Sequence, residues 1–271
     1  VDADALFRAH RQTLPGSSER VLDLFASGVL TAGPVGELVA VRVQTPSGAI
    51  QELRLPRLRR TEIIDELRRV SAPPLRELAP GIVYVRMLRL TPQRWSELAA
   101  KLTAARVIIF DARSYGGRGA WSLAAQLTDQ PLVSPRWEQT LLHGGSRGTE
   151  LTQWAISPLH PRLNAKAIFM IDANAISGAE TFLQIVRHHK LGVLIGEPTA
   201  ATNGNVEQYT SFEGRKIPFS SMRVLNQDGS RFEGLGVTPD LLVEPTVEGI
   251  RDDRDEILEA ALRLATSGTI P

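Results

Sequence analysis

Ser177 and Glu180 stand three positions apart in A-I-S-G-A-E, where a short apolar run gives way to a helical pattern. Ala167 to Ile171 is long enough for a buried strand and too short for a helix. Asp172, Asn174 and Gly178 are turn chemistry. Phe182, Leu183, Ile185 and Val186 then follow helical spacing. A serine at such a helix start lies beside unpaired backbone N–H groups and the positive end of the helix dipole. Those N–H groups can stabilise an oxyanion on a carbonyl that the hydroxyl attacks. The S-x-x-E spacing is equally that of a capping box, so locally it serves a structural cap as well as a nucleophile.

The elements that must position this serine can be read along the chain. Gly192 to Ile195 completes a βαβ unit around the Ser177 helix, which implies a parallel sheet. Upstream, a strand at Ile82–Leu88, a helix from Thr91-Pro92 through Lys101, a strand at Val107–Phe110 and a helix at Trp121–Leu127 read βαβα. Residues 128 to 165 form a weakly patterned insertion containing His143-Gly-Gly. Downstream come strands near Val206–Tyr209, Ile217–Phe219 and Ser221–Leu225, a turn at Asn226-Gln-Asp-Gly229, and a last helix over Arg254–Ala265. The start carries helical patterns at Asp2–Thr13 and Glu19–Phe25, the second capped by Ser17 or Ser18, and a hairpin signal around Thr45-Pro-Ser-Gly48. Residues 1–57 thus read as a small N-terminal module, 58–80 as a helical linker including Thr61–Val70, and 81–271 as an α/β domain.

Composition narrows the chemistry. A chain of 271 residues can bury a full core without staples. It has no cysteine, so a disulfide framework, a thiolate metal site and a cysteine nucleophile are excluded. The net charge is +1 and no basic run interleaves with aromatics, which gives nucleic-acid binding little support. No stretch approaches the ~18 apolar residues of a membrane span. The sequence starts at Val1 without a signal-peptide pattern, which suggests a chain that begins after its natural N-terminus.

Four segments, in order across Gly81 to Val243, resemble the tail-specific (C-terminal processing) serine protease family, which includes tricorn core-like and retinoid-binding-protein-like peptidases. They are I-I-F-D-A-R-S-Y-G-G, A-I-S-G-A-E, L-I-G-E-P-T-A-A-T-N-G-N and E-G-L-G-V-T-P-D-L-L-V. The resemblance implies a crotonase/ClpP-like βαβ spiral, with residues 1–57 as a partial PDZ-like remnant. It implies a peptidase acting on peptides or unstructured tails, no cofactor or metal, and an exported protein. It makes Ser177 the nucleophile, puts the Gly178 amide with one from Gly116 or Gly117 in the oxyanion hole, and has Glu180 order the turn.

The proton acceptor departs from the family pattern. Many members place a lysine in a loop reading F-G-K-G-x-V-Q, where this chain has T-N-G-N-V-E and Asn203 near the lysine position. An amide takes no proton at neutral pH. The tricorn type carries a histidine on an early strand, where this chain has V-Y-V-R-M and Arg86, which stays protonated. His188 and His189 lie ~16 Å or more along one helix from Ser177, too far to reach it, and suit the helix C-terminal dipole instead. His143, His160, His10 and Lys216 remain candidates, and Glu233 resembles the acidic residue that orients the base in the tricorn type. Asp111 and Arg113 read as a structural pair, and Asn203 is expected near the site without acting as base. An α/β-hydrolase would need G-x-S-x-G and a later histidine, neither of which is present. A crotonase-like acyl-CoA enzyme would share the fold without a serine, and metal hydrolysis lacks a ligand motif. The alternative from another class is a peptide-binding pseudopeptidase.

Overall fold

The computed structural model describes residues 2–59, 61–62, 75–88, 91–114, 120–143 and 146–267, apart from the side chains of 29, 31, 142, 143, 146 and 147. The chain opens with α1 (Ala3–Arg11), α2 (Glu19–Ser27) and a hairpin of β1 (Leu38–Gln44) and β2 (Ile50–Pro56). It continues with β3 (Leu75–Ala79), β4 (Ile82–Arg86), α3 (Pro92–Leu102), β5 (Val107–Asp111) and α4 (Ala120–Gln126). The former insertion holds β6 (Leu132–Val133), β7 (Arg136–His143), β8 (Ser146–Thr152) and β9 (Ala155–Ile156). Then follow β10 (Lys166–Ile171), α5 (Gly178–His188), β11 (Val193–Gly196), β12 (Val206–Thr210), β13 (Lys216–Ser220), β14 (Met222–Leu225) and β15 (Leu241–Leu242). α6 (Val247–Arg251) and α7 (Glu256–Ser267) close the chain.

A six-stranded sheet in the order β15-β11-β10-β5-β4-β3 organises the molecule. Its strands pair in parallel except for the antiparallel edge β3. The buried strands alternate between two cores because successive side chains point to opposite faces. Ile108, Phe110, Phe169 and Ile171 pack with α3, α4 and α5 through Trp95, Leu123, Phe182 and Ile185. Val107, Ile109, Ile168 and Met170 pack on the other face with Ile257, Ala261 and Ala265 of α7. Apolar burial on both faces explains the continuous apolar runs of β5 and β10.

The strand order moves in one direction along the sheet, so β5 and β10 are neighbours and α4 and α5 begin at the same end. The turn bearing Ser177 and the segment after β5 are brought together by that register. Among the described residues no helix is long and apolar enough to cross a membrane.

Two expectations need correction. Leu75–Ala79, inside the stretch read as a helical linker, is the edge strand β3. Its alternation is weak because an edge strand buries little, and the expected helix Thr61–Val70 lies almost wholly outside the described residues. The weakly patterned insertion is ordered as strand pairs, with β7 between β8 and β14. Its signal was faint because Glu138–Leu141 and Gly148–Leu151 are half-buried or exposed and mostly polar.

Candidate active site

β10 ends in a tight turn that is built from its own polar side chains. Asp172 Oδ1 accepts the Asn174 N–H at 2.8 Å and its Oδ2 accepts Asn174 Nδ2 at 3.0 Å. The chain then enters Ser177 at φ 57° and ψ −117°. A non-glycine residue held there stores on the order of 1–3 kcal/mol of backbone strain. Two hydrogen bonds to the Ser177 N–H hold it: to Thr202 O at 3.1 Å and to Glu180 Oε2 at 3.2 Å. The half of the capping box made by Glu180 is therefore formed. The Ser177 hydroxyl faces the N3 backbone without making a cap hydrogen bond. Ser177 is half-buried, and Gly178 beside it has open space where a side chain would be.

Glu180 is fully buried and accepts four hydrogen bonds. Its Oε1 takes Thr199 Oγ1 at 2.6 Å and the Ala201 N–H at 2.7 Å; its Oε2 takes the Thr202 N–H at 3.1 Å as well as Ser177. Burial pushes its carboxyl up to about 7, partly offset by these donors. Ala201, a second non-glycine residue at positive φ (62°), turns its N–H onto this carboxylate. The carboxylate thus joins the first turn of α5 to the loop after β11. It has no exposed surface for a substrate to reach.

Asn203 lies in the same loop and is 9% exposed. Its Nδ2 donates to Thr181 Oγ1 at 2.7 Å, and its Oδ1 accepts the Gly204 N–H at 2.8 Å. Thr181 Oγ1 in turn donates to Ser177 O at 3.4 Å. Asn203 is therefore one side chain removed from the serine backbone.

No residue pattern signals that the first helices take part. Ser17 Oγ donates to Ala201 O at 2.7 Å and Ser18 Oγ to Ala200 O at 2.5 Å. Arg20 donates through Nε to Thr199 O at 2.8 Å and through Nη2 to Leu235 O at 3.0 Å. Ser18 does cap α2, accepting the Val21 N–H at 3.2 Å, so the sequence reading of a cap caught half of its role. The loop partners Thr199, Ala201 and Thr202 were also missed, since two of the three act through backbone N–H groups that any residue supplies.

The Asp111–Arg113 pair extends into a network. Arg113 donates to Asp111 through Nε at 3.0 Å and Nη2 at 2.8 Å, and to both oxygens of Asp255 at 2.8 and 2.7 Å. The Tyr84 hydroxyl donates to Asp111 at 2.7 Å. Burial pushes the Asp111 carboxyl up, but the Arg113 and Tyr84 hydrogen bonds outweigh it and hold it below the usual range. Asp255 also accepts the Leu258 N–H at 3.0 Å, so the network pins the start of α7 beneath the segment leading to the glycine loop.

Other candidates are separate from this cluster or outside what is described. Gly116 and Gly117 lie outside the described residues, as does the His143 side chain. Glu233 is partly buried and lines a cavity of about 320 Å³ with Arg223, Val224, Leu225 and Arg231. Lys216 and His160 are exposed. His189 caps α5 and ties it to β6, its Nε2 lying 2.9 Å from the Val133 nitrogen and 3.2 Å from Val133 O, and desolvation lowers its pKa. Among the described residues no side chain hydrogen-bonds to the Ser177 hydroxyl, which faces the N3 backbone of its own helix.

A profile of Peptidase family S41 matches residues 81–243. The chain belongs to this family. It is thereby a serine-type peptidase, a hydrolase acting on peptide or protein substrates. No curated protein sequence matches it. Solved structures share the fold at low identity. A candidate peptidase from Parabacteroides merdae is 20% identical with a TM-score of 0.62, over 98% of this chain and 89% of that one. Mature CPAF is 14% identical with a TM-score of 0.67, over 97% and 76%. The photosystem II D1 C-terminal processing protease is 18% identical with a TM-score of 0.51, over 88% and 62%. In this S41 peptidase the matched region contains β4 through β15, and so every strand of the central sheet except β3.

Proposed function

We propose that Ser177 is the nucleophile of this S41 peptidase and that its substrates are peptides or unstructured protein tails. One observation carries the reading. Ser177 is half-buried in a strained turn at a helix start, and the Gly178 N–H beside it has no partner among the described residues. The Gly178 N–H is the first oxyanion donor, and the amide of Gly116 or Gly117 is the second, from the loop after the neighbouring strand β5. Each such donor is worth ~3 kcal/mol of transition-state stabilisation. The hydroxyl attacks the peptide carbonyl, the acyl-enzyme forms as the amine leaves, and water releases the acid. Glu180 acts through the backbone, as a positioning residue.

The one-directional strand order with helices α3, α4 and α5 on one face supports the crotonase-like spiral as the finer description of the fold. For the proton acceptor, backbone register supports His143. β14 starts at Met222 against Gln139, and β7 runs on to His143 past that point. Met222 abuts Gly204 of the Asn203 loop, so β7 is extended on the side of the site.

A fluorophosphonate probe should label the protein, and Ser177→Ala should abolish labelling. His143→Ala should slow labelling at neutral pH at least tenfold. Equal labelling of the Ser177→Ala protein removes Ser177 from the chemistry. Peptide binding without any labelling or turnover would favour the pseudopeptidase.

A further inference from the structure

The hairpin of β12 and β13 stands apart from the Ser177 cluster. It forms a two-stranded sheet of its own, and every residue of both strands is exposed. Among the described residues no third strand pairs with it. Its apolar residues face water: Val206 is 72% exposed, Tyr209 57%, Ile217 51%, Phe219 50%, and Phe212 in the turn 97%. A two-stranded hairpin by itself is marginally stable in water and gains from further strands. A contiguous exposed apolar patch of this kind marks a contact surface.

The two edges of the hairpin differ. The Ser221 N–H donates to Asn205 O at 3.0 Å and the Ser211 N–H to Arg215 O at 2.9 Å, one at each end of the ladder. Antiparallel partners exchange bonds at every second residue. Glu207 and Tyr209 therefore bond to Phe219 and Ile217, and Val206, Gln208 and Thr210 turn their N–H and C=O groups outward. On β13 the outward positions are Lys216, Pro218 and Ser220. Pro218 has no N–H to donate at the middle of that edge, and Lys216 adds a charge. Both are devices that keep an edge strand from pairing. The outward positions of β12 carry neither: all three are uncharged and keep their N–H groups.

We propose that β12 pairs with β12 of a second copy of this chain, antiparallel about a two-fold axis at Gln208. Such a contact needs a self-complementary surface, and β12 provides one. Gln208 faces Gln208 of the other copy, Val206 faces Thr210, and Glu207 faces Tyr209, so no charge directly opposes a like charge. The two hairpins merge into one four-stranded sheet and run in opposite directions. The tip of each, with Phe212, then lies over the base of the other, where Met222 packs against Gly204 beside the Asn203 loop. Each copy thus brings an aromatic residue next to the other's loop. The apolar residues of the hairpin expose roughly 100–200 Å² each, so a pair of copies has ~1,200 Å² to cover, the lower end of what stable interfaces bury. The dimer is accordingly a reversible one, with a Kd on the order of 10 µM.

The two-fold axis gives a sharp test, because it sets residue 208 against its own copy. The full chain is followed by sedimentation equilibrium over roughly 1–200 µM, a range that brackets the expected Kd. The wild type should dimerise reversibly. Gln208→Lys and Gln208→Glu, at an exposed position, each oppose like charges across the axis and should each weaken the dimer tenfold or more. An equimolar mixture of the two should recover dimer, since opposite charges then meet. Phe212→Ser, in the exposed turn, should also weaken it about tenfold, and it decides the matter if either charged variant disturbs the hairpin. A wild type that stays monomeric throughout, a dimer unchanged by these variants, or a mixture that associates no better than its components would each overturn the proposal.

Discussion

At Ser177 two substitutions separate chemistry from backbone strain. Ser177→Ala removes the hydroxyl and keeps a Cβ at φ 57°. Ser177→Gly removes both. Relief of strain is worth ~1–3 kcal/mol, whereas the extra freedom glycine gives the unfolded chain costs ~0.4–1 kcal/mol. Relief wins, so Ser177→Gly should be more stable than Ser177→Ala by about 1 kcal/mol in urea unfolding, with both inactive; equal stabilities would mean that the turn carries no strain. At Glu180 the competing terms also differ in size. Glu180→Gln removes a charge that burial disfavours, but it sets a carboxamide NH2, itself a donor, against groups that need an acceptor. A carboxamide oxygen cannot serve all four donors that now converge on the carboxylate. Each buried donor stranded costs ~1–3 kcal/mol, so the variant should lose at least ~2 kcal/mol and most turnover. The residue scale is where sequence spacing was most and least informative. Ser-x-x-Glu marked both residues, yet it equally fits a simple cap, and the positive φ at Ser177 belongs to the fold. Asn203 was legible only as a departure from a motif; its bond to Thr181 depends on where the loop returns over α5.

At the scale of elements, the loop 199–203 is held from two sides. α5 supplies Glu180 and Thr181, and the start of α2 supplies Ser17, Ser18 and Arg20. Arg20→Ala removes one donor to Thr199 O in this loop and one to Leu235 O, and Arg20→Lys keeps one charge without the fork. Arg20→Ala should lower stability by about 1–2 kcal/mol and kcat by several-fold with little change in KM, and Arg20→Lys should fall between. An Arg20→Ala protein with wild-type kcat would show that the α2 contact does not set the loop. On the other side, Asn203→Ala and Thr181→Val should each lower turnover ~10-fold, about 1.4 kcal/mol in barrier. Because both act through one chain of bonds, the double variant should lose little more than either single one; additive losses would separate them. The buried elements were readable because β5, β10 and β11 are apolar on both faces and end at turn residues. α2 as an element was readable too, from its cap. Its docking partner was not, because serine and arginine donating to backbone carbonyls leave no trace in the loop's own sequence. β3 and the β7–β8 ladder escaped for a different reason, being edge or half-exposed strands with little apolar contrast.

At the scale of the whole molecule, two buried carboxylates on opposite sides of the sheet's functional end set opposite limits on stability with pH. Asp111 has its folded pKa depressed, with the buried Arg113 and Tyr84 hydrogen bonds prevailing over desolvation. Its contribution is fully present above the unfolded value of 3.8 and is lost as pH falls through the lower folded value. Glu180 has its folded pKa raised, by burial, from 4.5 to about 7. Between those values the native state holds a proton that the unfolded chain has released, so stability falls as pH rises through that window and is level above it. Asp172 and Glu197, near the same turn and also raised by desolvation, add to this limb in the same sense. Stability should therefore peak in mildly acid solution, close to pH 4–5 on these two pKa directions, and decline on both sides. Urea midpoints across pH 2 to 9 test it. Asp111→Asn should flatten the acid limb while lowering stability throughout, because Arg113 then keeps only Asp255 as a carboxylate partner. Glu180→Gln should flatten most of the neutral limb and leave the acid one. A wild-type curve that rises from pH 5 to 8 would mean that the four donors around Glu180 outweigh its burial, and that its carboxyl is held down by the turn it organises.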